Sequence, residues 1–243
     1  MTEMLLTIIT VTKNCVATID RTLDSVSAVK RPGMEYVVVD GASTDATLEA
    51  IRSRGGLVDQ LVSESDTGIY NAMNKGVGLA RGRYILFING DDALVPDGFS
   101  VVIDAMACEQ YGIICATTLV GELASPVEIL VAKPWRLPFF NSIPHPSSFV
   151  RRDLLLLRPF REDLYIVSDY DFFLCAYLAG HSFLVLAVVT ALHQRDGASS
   201  DVQQSELEME RVRHERLGWF FPVINGVAYL SRLCKRAING RMT

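Results

Sequence analysis

Four short runs of β-branched and apolar residues, each followed by a turn rich in acids, glycine or asparagine, constrain this chain more than any other feature. They are Leu6–Thr12, 36–39, 61–62 and 84–88. Between them lie stretches with helical spacing. Over 18–29, Ile19, Leu23 and Val26 share one face; 44–54 is stopped by Gly55-Gly56; 69–80 follows a turn. Strand and helix alternating at this spacing predict βαβ units, hence a parallel sheet covered on both faces.

The second half is less regular. Residues 112–131 predict two more strands. Pro134, Pro138, Pro144 and Pro146 then punctuate a loop that no central strand or continuous helix can accommodate. A helix is expected over 169–180, a strand over 183–189, a polar loop over 194–204 and a charged amphipathic helix over 205–217, ended by Gly218. A chain of 243 residues suits one large domain.

Charge narrows the function classes. Twenty-three basic against 28 acidic residues give −5 at neutral pH, which argues against a nucleic-acid partner, because such a binder needs a basic stripe to displace counterions. The five cysteines contain no C-x-x-C pair, so neither a zinc site nor a disulfide framework is expected. Mean hydropathy is high at +0.24, yet no apolar run approaches the roughly 18 residues of a membrane span. Glu3 stands where a signal peptide would be basic, so a reducing cytoplasm is the expected compartment.

In an open parallel sheet, ligands bind outside the carboxyl ends of the strands. The second strand ends in Asp40, the third region runs Ser63-Glu64-Ser65-Asp66, and the fourth ends in Asn89-Gly90-Asp91-Asp92. Each acid has an ordinary alternative as a turn or helix-start residue, which does not explain an acid at every strand end. Gly76, Gly78 and Gly82 are spaced one residue too widely for a dinucleotide fingerprint and follow a helical segment instead of a strand. A phosphate-cradling loop is absent too, so an acidic pair suggests Mg²⁺ or Mn²⁺ holding substrate phosphates.

Val11-Thr12-Lys13-Asn14, Val39-Asp40-Gly41-Ala42-Ser43-Thr44-Asp45 and Asn89-Gly90-Asp91-Asp92 together resemble the inverting glycosyltransferases of family 2, with the GT-A fold. The stretch 63–76 is similar to their bacterial polysaccharide-assembly, colanic-acid-type branch. The resemblance implies a Rossmann-like, mostly parallel central sheet with helices on both faces. It implies a GT-A domain over 1–204, with a nucleotide-binding half (1–110) and an acceptor half (111–204), followed by a C-terminal helical appendage over 205–243. Thr12, Asn14, Asp40, Asp66, Asn74 and Asp91 would bind the nucleotide, Asp92 with Asp91 the divalent metal. Asn89 stands where many relatives carry the first acid of D-x-D, and Met73 where many carry arginine. The donor would be a UDP- or GDP-type sugar and the acceptor a glycan or polyprenyl-linked glycan. The runners-up are a nucleotidyltransferase and a non-catalytic sugar- or lipid-binding subunit.

Ser168-Asp169-Tyr170-Asp171 fits a capping box in which Ser168 and Asp171 are structural. Asp169 is left over, about 200° around the helix from Asp171; it is either a dipole-pairing acid or, as the resemblance implies, the base that deprotonates the acceptor. His145 lies in the stretch 143–148 that matches the acceptor-side loop, as a functional or a satisfied loop histidine, and Arg151 close behind it is assigned to the same loop, to reach a phosphate or cap the next helix. His193 is a candidate late metal ligand, and Arg152 either reaches a phosphate or caps a helix. Beyond Pro222, Val223, Val227, Leu230, Cys234 and Ile238 recur at helical steps after Trp219-Phe220-Phe221. This stripe either packs on protein or lies on an anionic membrane surface; the second is expected, on the cytoplasmic face of the inner membrane.

Overall fold

A computed structural model describes residues 4–122, 125–194 and 201–227. The chain runs β1 (Leu6–Thr12), α1 (Ile19–Val29), β2 (Met34–Asp40), α2 (Thr47–Ser53), β3 (Gln60–Ser63), α3 (Ile69–Leu79) and β4 (Tyr84–Phe87). It continues through β5 (Ala93–Leu94), α4 (Phe99–Ala107), β6 (Ile113–Glu122), β7 (Ser125–Val131), β8 (Ser148–Arg151) and α5 (Arg152–Leu157). Last come α6 (Ser168–Leu178), β9 (Phe183–His193) and α7 (Val202–Leu217), with a 3₁₀ turn Gly218–Phe220 and helical residues 221–227.

One sheet organises everything. Its order is β3-β2-β1-β4-β8-β6-β9-β5, with β7 paired to the outside of β6. The first four strands are mutually parallel, as the βαβ spacing requires. The second half adds antiparallel β8, β7 and β5, while β9 runs parallel to β6. The result is a mixed α/β, GT-A-like sheet whose parallel half carries the strand-end acids.

Alternation along the buried strands divides the core between two faces. Ile9, Val11, Val37 and Val39 pack with Met73 and Val77 of α3 and with Tyr170, Phe172 and Phe173 of α6. Leu6, Ile8, Tyr36 and Val38 face the other way, toward Ile19, Leu23 and Val26 of α1 and Phe99 and Val102 of α4. The helical stripe read from the sequence of α1 is therefore the face it buries.

Three sequence expectations need correction. The capping box does not form: α6 starts at Ser168, whose hydroxyl accepts the Arg161 N–H, and Val167 is the flanking residue without a side-chain cap. Asp171 instead binds Arg216 of α7. Arg151 sits at the wrong end of the sheet: β8 runs antiparallel to β4 and sets Arg151 beside Tyr84, where β4 begins, and there it pairs with Asp153. Arg152 donates to the Val77 carbonyl, 3.4 Å away, and its N–H to that of Arg83, with no phosphate role evident.

A boundary at 204/205 falls inside α7, which packs on α6 and the segment before it. Val212 and Arg213 are buried, and Glu208 accepts the N–H groups of Tyr165, Ile166 and Val167. Of the C-terminal stripe, Leu230, Cys234 and Ile238 lie outside the described residues.

Candidate active site

A cavity of about 1100 Å³ opens at the carboxyl edge of the parallel strands and extends to the N-terminus of α6. Thr12, Asp66, Asp91, His145, Asp169 and His193 all face it. These residues are up to 181 positions apart in sequence (193 − 12); Thr12, Asp66, Asp91 and His193 come from strand ends and the loops after them, His145 from a 3₁₀ turn and Asp169 from α6.

At the nucleotide-type end, register sets Thr12 of β1 beside Asp40 of β2, and Asp40 beside Ser63 of β3. Asp40 is buried and its carboxylate is fully engaged: Ser43 donates through its N–H (3.0 Å) and its hydroxyl, and the Ser63 hydroxyl donates at 2.6 Å. Asp40 thus shapes the loop after β2, while Asp66 presents its carboxylate to the cavity. Gly41 makes that possible, because a Cβ there would stand 2.3 Å from Asp66 Oδ2. Gly90 has the same effect at the neighbouring strand: a Cβ would meet Thr12 Oγ1 at 2.8 Å. That hydroxyl is buried with no hydrogen-bond partner, an unspent donor at the cavity wall.

Two of the polar residues expected at the nucleotide do other work. Asn14, in the left-handed region at φ 52°, accepts the Thr44 N–H at 2.8 Å and clasps the loop after β2. Asn74 grips Phe160 through both its N–H and its carbonyl (2.9 Å each), and shares Glu162 with Asn71 and Thr67. Neither faces the cavity. Met73, where an arginine was the alternative, is buried against the sheet and also reaches the cavity wall.

The acidic pair after β4 divides in two. Asp91 is half-buried on the wall, its carboxyl held above the usual range by burial and then by the charge of Asp92. Asp92 is fully buried; its Oδ1 meets His193 Nδ1 at 2.8 Å and accepts the Gln194 N–H at 3.0 Å. The short β5–β9 pairing brings His193 there, and its contact with Asp92 raises the imidazole pKa. Asp92 Oδ2 is buried and unpartnered.

These donors suit a divalent metal. An orphaned carboxylate oxygen, a neighbouring carboxylate and an imidazole whose other nitrogen is engaged match what Mg²⁺ or Mn²⁺ accepts. Among the described residues no three acidic, histidine or cysteine side chains stand close enough to hold an ion alone. The remaining ligands would be phosphate oxygens and water.

At the far end, Asp169 occupies the first turn of α6 and is buried, which raises its carboxyl pKa. Oδ1 accepts the Tyr170 N–H (2.8 Å) and faces the Tyr70 hydroxyl (3.2 Å). Oδ2 looks toward His145 Nδ1, 3.8 Å away. Sequence reasoning placed Asp169 and His145 but missed Tyr70, which lies 99 residues from Asp169 and reads as a core aromatic.

Comparisons with known proteins identify the family and the fold. The sequence profile described as Glycosyl transferase family 2 matches residues 7–149. The chain is 30% identical over 182 residues to a PGL/p-HBAD biosynthesis glycosyltransferase of Mycobacterium tuberculosis, covering 71% of this chain and 69% of that protein. It is 28% identical over 171 residues to the chondroitin synthase of Pasteurella multocida, covering 66% of this chain and 18% of that one. Among solved structures, S. aureus TarS 1-349 with UDP-GlcNAc superposes at TM-score 0.70 and 20% identity, over 90% of this chain and 73% of that one. The mannosyltransferase PcManGT of Pyrobaculum calidifontis, with GDP-Man and Mn²⁺, also gives 0.70 at 20% identity, over 93% and 69%.

Proposed function

The chain belongs to glycosyl transferase family 2, and from that premise we propose that it is an inverting transferase of the polysaccharide-assembly type. It moves a sugar from a UDP- or GDP-sugar to a hydroxyl of a glycan or lipid-linked glycan. The observation that carries this reading is one cavity with Thr12, Asp66 and Asp91 at one end and the buried carboxylate of Asp169 at the other. Nucleotide complexes of TarS and PcManGT, which share the fold, support a nucleotide-sugar donor.

In this reading, Asp66 and Thr12 orient the nucleoside at the ends of β1 and β3. Asp91 and Asp92, with His193, would hold a divalent metal, which would supply Lewis-acid stabilisation of the departing diphosphate. Asp169 removes the acceptor proton as the acceptor oxygen attacks the anomeric carbon from the face opposite the diphosphate. Burial suits it to that task, since a carboxylate held above its usual pKa is a stronger base. Oδ1 is tied down, so Oδ2 is the oxygen left to accept the proton.

Release of UDP or GDP from a panel of nucleotide-sugars with Mn²⁺ identifies the donor. With that donor, Asp169→Asn should keep binding and lower turnover by about 10²-fold or more. Full transfer by the variant would refute the base assignment.

The exposed aromatic end of the described chain supports peripheral attachment to an anionic membrane surface on the cytoplasmic side. Trp219 is 82% and Val223 69% exposed, with Phe220 and Val227 also on the outside. Among the described residues no helix is long and apolar enough to cross a membrane.

A further inference from the structure

Asp169 has one difficulty as a base. A carboxyl buried this deeply, once protonated by the acceptor, must give the proton up before the next turnover, either to the cavity it lines or to a neighbouring side chain. The Tyr170 N–H donates to Oδ1, and Tyr70, whose single hydroxyl proton is closer to the Ile166 carbonyl (2.6 Å) than to Oδ1 (3.2 Å), is a neutral phenol and no base for the carboxyl. Beside Oδ2, among the described residues, the proton acceptor is the His145 ring.

We propose that His145 accepts the proton from Asp169 Oδ2 after transfer and passes it to the water of the cavity, so that it resets the base. The inference rests on the reading of Asp169 as the base. Three observations carry it. His145 Nδ1 and Asp169 Oδ2 are 3.8 Å apart, and a closure of roughly 0.8 Å brings them to hydrogen-bond distance. The ring is set in that orientation by Phe87, Phe160 and Phe173, whose centroids lie 5.3, 5.8 and 6.3 Å away. Its own chain segment is a 3₁₀ turn, His145–Ser147, in which His145 stands between Pro144 and Pro146, anchored by the Ser147 and Ser148 hydroxyls on nearby carbonyls. Such a pinned imidazole on a cavity wall is more than loop filling.

The proton count closes. The acceptor O–H bond breaks as its oxygen bonds to the anomeric carbon and the C–O bond to the diphosphate breaks, and the proton goes to Oδ2. With its own proton on Nε2, neutral His145 then receives it at Nδ1 and becomes imidazolium. It loses a proton to cavity water, and exchange through that water leaves the remaining proton on Nε2, which restores the accepting tautomer. Burial keeps His145 below the usual imidazole pKa, against the opposing pull of Asp169 and Asp92, so the ring is neutral at rest and gives an added proton up readily to water. Tyr70 is the other titratable group on the carboxylate, and burial raises its pKa far above the working range. Asp92 and His193 act on His145 by charge at longer range.

The test separates the chemical step from the reset. His145→Gln keeps the hydrogen-bonding capacity and cannot titrate; His145→Ala leaves room for an exogenous base. Both are assayed on the UDP- or GDP-sugar that the wild type turns over, after an unfolding midpoint confirms that they fold. With enzyme in excess, a single turnover should stay within about threefold of wild type, while steady-state turnover falls tenfold or more. Added imidazole should restore the Ala variant and leave the Gln variant unchanged. Full steady-state activity of His145→Gln overturns the proposal, and so does equal loss in both regimes without imidazole rescue. Asp169→Asn distinguishes the two readings: it should lose the single turnover itself, and if it does not, the base assignment fails and the reset falls with it.

Discussion

Arg216 of α7 clamps Asp171 of α6 with two near-parallel hydrogen bonds, Nε to Oδ1 at 2.7 Å and Nη2 to Oδ2 at 3.0 Å. Bidentate pairs of this kind add direction as well as strength. Asp171 is only 4% exposed at its side chain, and it stands two residues from Asp169. Arg216→Ala should therefore destabilise the protein by about 2–3 kcal/mol in urea unfolding, below the ~3–5 of a fully buried orphaned charge because Arg161 stays close to the same carboxylate. The accompanying fall in turnover should exceed any change in donor affinity.

Glu208 gives a pH signature. Burial pushes its carboxyl up, but the Gln204 side chain and the N–H groups of Ile166, Tyr165 and Val167 outweigh that and hold it below the usual 4.5. A lowered carboxyl binds fewer protons folded than unfolded, so its stabilisation is present above about pH 4.5 and fades as pH falls through the folded-state value. The stability gap between wild type and Glu208→Gln should thus be largest near neutrality and shrink below about pH 4. A constant gap down to about pH 3 would show that the charge is not what matters.

Nucleotide binding should follow the metal through Asp92. Calorimetric titration of UDP or GDP, whichever the donor screen selects, should show at least a tenfold gain with Mn²⁺ over metal-free buffer in the wild type. Asp92→Asn should lose that gain. Equal affinity in all four titrations would remove the metal from donor binding.

Gly90→Ala tests the close approach of strand end and Thr12. The added methyl would sit 2.8 Å from Thr12 Oγ1 and 3.2 Å from Cys15 Sγ. Overpacking of this sort costs about 1–3 kcal/mol, and the main loss should be in nucleotide affinity, measured by the same titration.

The exposed aromatic end predicts membrane recovery. Full-length protein should float with anionic liposomes, and a variant carrying Trp219→Ser, Val223→Ser and Val227→Ser should stay in the pellet fraction while keeping transfer to a soluble acceptor. Flotation unchanged by the substitutions would assign the attachment elsewhere.

The sheet's parallel half was legible because β-branched strands and a one-faced helical stripe leave little freedom, as in Leu6–Thr12 and Ile19–Val29. Strand ends also placed Thr12, Asp66 and Asp91 at the cavity. What the sequence hid was pairing across distance. Ser63 completing the shell around Asp40 depends on parallel register, and His193 reaching Asp92 depends on a two-residue strand too short to announce itself. The direction of β8 decided against Arg151, and S-x-x-D at α6 misled because the Arg161 N–H takes the Ser168 hydroxyl and Arg216, remote in sequence, takes Asp171.

The clamp by α7 has a temporal side. The strand edge that would receive a nucleotide is built by residue 92, from local βαβ units. Glu208 and Arg216, which seat the turn bearing Asp169, are translated more than a hundred residues later (208 − 92 = 116). A chain emerging from the ribosome thus acquires this strand edge early, and the support for the turn that carries Asp169 only after more than a hundred further residues.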